Sequence, residues 1–166
     1  MKKAIVLMLA VILTLSLAVP AAAVGTSSPK APTVSQTTTA PLPKVVEQIV
    51  KAEDGTEVII ELLAADDSKL TEKEKETLAE AQAALAKATP SGMKAQYFFF
   101  VKVIVKDDAT KKVGPVAVTF EVDNVTEVVV KQFVDGAWVE LKATLNADGK
   151  VSVEGVVDGP MAIFTK

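Results

Sequence analysis

From residue 116 the chain alternates. Val116, Val118, Phe120 and Val122 are separated by Ala117, Thr119 and Glu121, the period-two pattern of a strand with one buried face. Two further runs, 128–134 and 137–145, flank Asp135-Gly136. A two-residue turn there predicts a hairpin that pairs Phe133 with Trp138, Lys131 with Glu140 and Val130 with Leu141. A second loop, Ala147-Asp148-Gly149, pairs Leu145 with Val151 and Ala143 with Val153. Both registers keep Leu141, Ala143 and Leu145 on one apolar face, which predicts a meander. The closing residues MAIFTK read as one more strand.

Upstream the same logic gives a hairpin, a helix and a strand. Residues 45–50 and 56–63 flank a Glu53-Asp54-Gly55 loop, with Gly55 in the left-handed conformation that suits glycine. That loop sets Val50 opposite Val58, Gln48 opposite Ile60, Val46 opposite Leu62 and Lys51 opposite Glu57. Thr71 followed by Glu74 forms a capping box, and an Ala-rich run ends at Thr89-Pro90-Ser91-Gly92, so a helix is expected over about 72–88. Leu78, Ala81, Leu85 and Ala88 share one narrow face, which suits packing on a sheet edge or end. Residues 95–106, AQYFFFVKVIVK, hold four of the eight aromatic residues and are apolar on both sides. Such a strand is central, with a sheet covering one face and a helix or loop the other.

The resulting expectation is a mostly β (α+β) domain over 44–166, an antiparallel β-sandwich-like fold with one amphipathic helix. Two segments precede it. Met1-Lys2-Lys3, the apolar run Ala4 to Val19 and Pro20-Ala21-Ala22-Ala23 have the charge, apolar stretch and small-residue site of a signal peptide cut after Ala23. The apolar run is shorter than the roughly 20 residues a membrane span needs. Residues 24–43 hold five Thr, three Ser and four Pro and are too poor in large apolar residues to form a core. They read as a disordered linker, or as a stalk open to O-glycosylation. The expected localisation is secreted or extracellular, in the medium or against the cell wall. The membrane enters only through the signal peptide, and no wall-sorting signal is visible near the C-terminus.

Charge and composition narrow the chemistry. Removing residues 1–23 takes two lysines away and leaves 16 lysines against 21 acids. That mildly acidic surface lacks the basic stripe that nucleic acid requires. There is no His, Cys or Arg, hence no imidazole base, thiol nucleophile or disulfide. Zinc sites recruit His or Cys, so no metal or other cofactor is expected. Asn146-Ala147-Asp148-Gly149 resembles part of a calcium loop, but Thr144 and Gly155 occupy the positions where acids are required. It reads as a hairpin turn. Two carboxylates could in principle hydrolyse a glycoside, yet none stands apart from turns, caps and solvent faces, and no catalytic residue is assigned. The one candidate ligand face is Lys131, Phe133, Trp138 and Glu140, where an aromatic pair beside two charges could, if exposed, stack on a sugar or enter a protein interface; covered by a second sheet or the linker, both rings are ordinary packing, which is the favoured reading.

The segments GPVAVTFEVDN, VVVKQFVDGAWVEL, NADGKVSVEG and PMAIF resemble a β-rich module of secreted and cell-wall proteins of Gram-positive Clostridia and their relatives. Val116 to Phe120, Asp135 to Glu140, Asp148 to Val151 and Pro160 to Phe164 carry the resemblance, over about the last 70 residues. It implies a surface or secreted module of no established activity and transfers no catalytic residue. The expected function is an exported, non-catalytic structural or adhesive module of the bacterial envelope or exterior. The alternative is an extracellular carbohydrate- or peptide-binding module that uses the aromatic hairpin face. A cell-wall glycan or another envelope protein would be the partner. A carboxylate-dependent hydrolase ranks last.

Overall fold

A computed structural model describes residues 41–166. The signal peptide and nearly all of the Thr/Ser/Pro-rich linker lie outside the described residues. In chain order the elements are β1 (Lys44–Val45), β2 (Ile49–Lys51), β3 (Glu57–Leu63), α1 (Glu72–Ala88), β4 (Lys94–Val105), β5 (Val116–Glu121), β6 (Val128–Val134), β7 (Ala137–Leu145), β8 (Lys150–Val156) and β9 (Gly159–Thr165). All nine strands join one antiparallel sheet in the order β1-β5-β8-β7-β6-β9-β4-β3-β2.

The expected two-sheet sandwich is therefore corrected to a single curled sheet, a half-barrel with one helix. Alternation specifies an inward face, but it does not say whether that face meets a second sheet or the far side of its own. Here it meets its own: Val58, Ile60, Tyr97, Phe99, Val101, Phe120, Val130, Val151, Val153, Met161 and Ile163 share one core. Register shifts between Ala95 and Tyr97 and between Val116 and Val118 mark irregularities in β4 and β5. Such bulges bend and twist a strand, which helps a wide sheet to curl.

Most local registers agree with the sequence. Phe133 pairs with Trp138, Lys131 with Glu140 and Val130 with Leu141. Leu145 pairs with Val151 and Ala143 with Val153. The meander holds for β6, β7 and β8, while β9 inserts between β6 and β4. That central place explains why every residue of β9 is buried. At its start Gly159 has φ +145°, and a Cβ there would lie 3.3 Å from the Phe133 carbonyl oxygen, so only glycine fits without strain.

The first hairpin departs from expectation. Val50 faces Val58 and Lys51 faces Glu57 as read, and the Ile60 N–H donates to the Gln48 carbonyl at 2.8 Å. Val46, however, does not reach Leu62; its N–H donates to Thr119 of β5 at 2.9 Å. The run 45–50 therefore breaks into β1 and β2, which lie at opposite edges of the strand order. Residues 46–48 cross between those edges and bridge the half-barrel.

Gln132 of β6 is fully buried. Its Nε2 donates to the Val157 carbonyl at 2.6 Å and its Oε1 accepts from the Val157 N–H at 3.1 Å, which ties the β8–β9 turn to β6. Gln132→Leu removes the side-chain partners of both the N–H and the carbonyl of Val157 at roughly the same volume, so it should cost about 1–3 kcal/mol. A lower midpoint in urea at unchanged slope is the expected result.

Candidate functional site

The aromatic hairpin face is built by a tight turn. Asp135 and Gly136 both have positive φ, 51° and 81°, the backbone of a type I′ turn, which matches the twist of the flanking strands. The turn fixes the pairing of Phe133 with Trp138, and their rings meet edge to face with centroids 5.5 Å apart. Phe98 of β4 approaches Trp138 at 6.3 Å.

Helix α1 occupies this face. It lies against β7 and β9, strands in the interior of the sheet order, and not at the sheet edge or end that its narrow apolar stripe suggested. The physical reason is on the sheet: Phe98, Phe100, Phe133 and Trp138 make the outer face of the middle strands apolar and in need of cover. Leu78 packs with Leu63, Leu70 and Phe100 in a second small core, flanked by Phe98. Ala81 is wholly buried, and its small side chain lets the helix backbone approach closely. The Trp138 indole Nε1 then donates to the Ala81 carbonyl at 3.1 Å. At the helix C-terminus the Lys131 ammonium donates to the Ala88 carbonyl at 2.9 Å, where a cation also suits the helix dipole. Near the N-terminus Lys102 pairs with Glu74 at 3.2 Å and donates to the Lys69 carbonyl at 3.0 Å.

Of the four residues read as a ligand face, the structure brings Lys131, Phe133 and Trp138 together beneath or beside α1. Phe133 is buried and Trp138 half-buried. Glu140 stands opposite Lys131 in register but is exposed, and no described residue forms an ion pair with it.

The carboxylates whose acidity changes all become stronger acids. Hydrogen bonds from Thr56 and Thr110 hold Asp54 and Asp108 below the usual aspartate range, and Lys106 and Lys150 do the same for Glu57 and Asp148. Burial works to raise Glu74, but the Thr71 N–H and hydroxyl together with Lys102 outweigh it and lower its pKa. These are turn, cap and ion-pair positions. A general acid needs the opposite shift. Asn146 to Gly149 forms a turn, with the Asn146 N–H donating to the Lys150 carbonyl at 2.8 Å. Among the described residues no three acids cluster as a metal site, and no helix is long and apolar enough to cross a membrane.

A second surface feature lies at the bridged seam. A groove of about 630 Å³ runs between β2 and β5, walled by Val46 and Ile49 and floored by Ala117, Thr119 and Ser152. The Thr119 and Ser152 hydroxyls are 3.2 Å apart across that floor. The large hydrophobic side chains exposed among the described residues are Leu42, Val46, Ile49 and Val139, and the first three lie on the segment that leads into and across the seam. Reading 45–50 as one strand concealed this. The polar pair Glu47-Gln48, which interrupts the apolar run, was the available signal of a break.

Comparison with protein-family models, curated proteins and solved structures found no match to this chain.

Two outcomes test the helix dock. Trp138→Ala should destabilise the domain by about 2–4 kcal/mol, below or at the usual cost of emptying a fully buried indole site because Trp138 is half-buried, and amide exchange should quicken most in α1. Glu74 is depressed in the fold, so its contribution is present above its ordinary value of 4.5 and is lost as pH falls through the lower folded value. The Tm advantage of the parent over Glu74→Gln should accordingly be constant near neutrality and vanish in strong acid.

Proposed function

We propose that this chain is an exported, non-catalytic structural or adhesive module of the bacterial envelope or exterior. One observation carries the reading: the aromatic cluster that could have served a ligand is engaged by the protein's own helix, through ring contacts and the Trp138 to Ala81 hydrogen bond. The lowered pKa values of the shifted carboxylates support the non-catalytic part. The resemblance of Val116 to Phe120, Asp135 to Glu140 and Pro160 to Phe164 to secreted and wall-associated modules supports the export and the setting, as does the leader-like pattern of residues 1–23.

A carbohydrate- or peptide-binding module is the second reading. The exposed Glu140 and the uncovered flank of Trp138 favour it, since an aromatic edge beside a carboxylate can hold a sugar hydroxyl. The single tryptophan makes the choice measurable. Trp138 emission should be blue-shifted, resistant to acrylamide and indifferent to purified cell-wall glycans. A red-shifted signal that glycan protects from quenching would put the binding module first.

A further inference from the structure

We propose that residues 44–48 are an exchangeable strap: they are held on β5 and, in a minor second state, shift onto β3, which extends the β2–β3 hairpin and uncovers the end of β5. Three observations converge on those two places. The first is how little holds the strap on β5. Its grip consists of two register pairs, Lys44 with Glu121 and Val45 with Phe120, and the Val46 N–H bond to the Thr119 carbonyl. The ion pair between Lys44 and Glu121 is exposed and adds little. The downstream half is fixed by three pairs with β3 and by two flanking bonds, from Ile60 to Gln48 and from Ala52 to Thr56. Residues 44–48 therefore swing about Ile49 and leave β2 in place.

The second is an empty place on β3. A groove of about 610 Å³ is lined by Lys44 and Val45 of the strap and by Ile59, Glu61 and Leu62 of β3. The bonds between β2 and β3 stop at the Gln48 carbonyl, although β3 runs on to Leu63. Continued upstream, the same register sets Val46 opposite Leu62 and Lys44 opposite Ala64. That is the pairing the Glu53-Asp54-Gly55 loop and the alternation predict. Local sequence favours one place, and the fold adopts the other.

The third is the side-chain pattern. Changing register flips the strap by one residue, which ordinarily carries core side chains to the wrong face. Here the Val45-Val46 doublet absorbs the flip. On β5, Val45 packs on the main core and Val46 is 39% exposed. On β3, alternation back from the core-packed Val50 turns Val46 inward beside Leu62, which packs on that same core. Val45 then turns outward beside Leu63. One valine faces the core in either place. Glu47 sets the balance: on β3 it stands opposite Glu61, and like charges directly opposite destabilise a ladder, so the β5 place predominates. In the second state β5 loses its partner from Thr119 to Glu121, and the strap is thereby a cover for that edge.

The chain has no cysteine, so paired cysteines report each place on the full chain. Partners in an antiparallel ladder have Cα atoms about 4.5–5.5 Å apart, within the span of a disulfide. Lys44→Cys with Glu121→Cys should crosslink on mild oxidation and marks the β5 place. Lys44→Cys with Ala64→Cys should crosslink more slowly and marks the β3 place. These positions and Glu47 are exposed or half-buried, so the variants should fold. Glu47→Lys sets opposite charges against Glu61 and should speed the crosslink to position 64 about fivefold, with no gain for the crosslink to position 121. A strap with a single place gives only the product with position 121, and that result would overturn the proposal. So would a crosslink to position 64 whose rate Glu47→Lys leaves unchanged or lowers.

Discussion

A sheet with one continuous apolar face has to bury that face against something, and this domain offers only one helix and the sheet itself. Everything else follows from that. The helix has a narrow stripe, Leu78 and Ala81, and can cover only the small outer patch around Phe98, Phe100 and Trp138. The inner face, dense in valine and phenylalanine, is closed by curling until strands from opposite ends of the order share one core. Without disulfides, this burial supplies the cohesion that would otherwise need a covalent staple.

Curling leaves a seam, and the seam shapes the molecule's outer chemistry. Residues 44–51 pair first with β5 and then with β3, crossing from one edge to the other within three residues. A strand that serves both edges in turn cannot satisfy either along its whole length. The exposed Val46 and Ile49 and the groove beside them are the geometric remainder of that compromise. The aromatic hairpin shows the reverse case: a face read from sequence as either ligand-binding or packed is largely occupied by α1, whose Ala81 lies 57 residues before Trp138.

The hairpin registers were legible because turn chemistry and side-chain period are local. Asp135-Gly136 accepts two positive φ angles, and once the turn is set, Phe133 must face Trp138. The capping box of Thr71 and Glu74 was equally local, and its two hydrogen bonds, 2.7 Å and 3.3 Å, are both formed. The double apolar face of β4 correctly required cover on both sides, with the helix over Phe98 and Phe100. The polar pair Glu47-Gln48 hinted at the break at 46–48, but the pairing of its first half was not legible, because it depends on where β5 lies.

By itself, then, the sequence determined most of the strands, the helix with its cap, the turns and the pairing next to each hairpin turn, since these rest on backbone sterics and on patterns a few residues long. Tertiary structure alone decided that the inner faces belong to one curled sheet, that β9 takes the central place, and that the helix lies on the sheet's face over Trp138. It also decided that one strand divides to bridge both edges. Those outcomes depend on sheet twist and on long-range burial, which bring together residues with no recognisable relation along the chain.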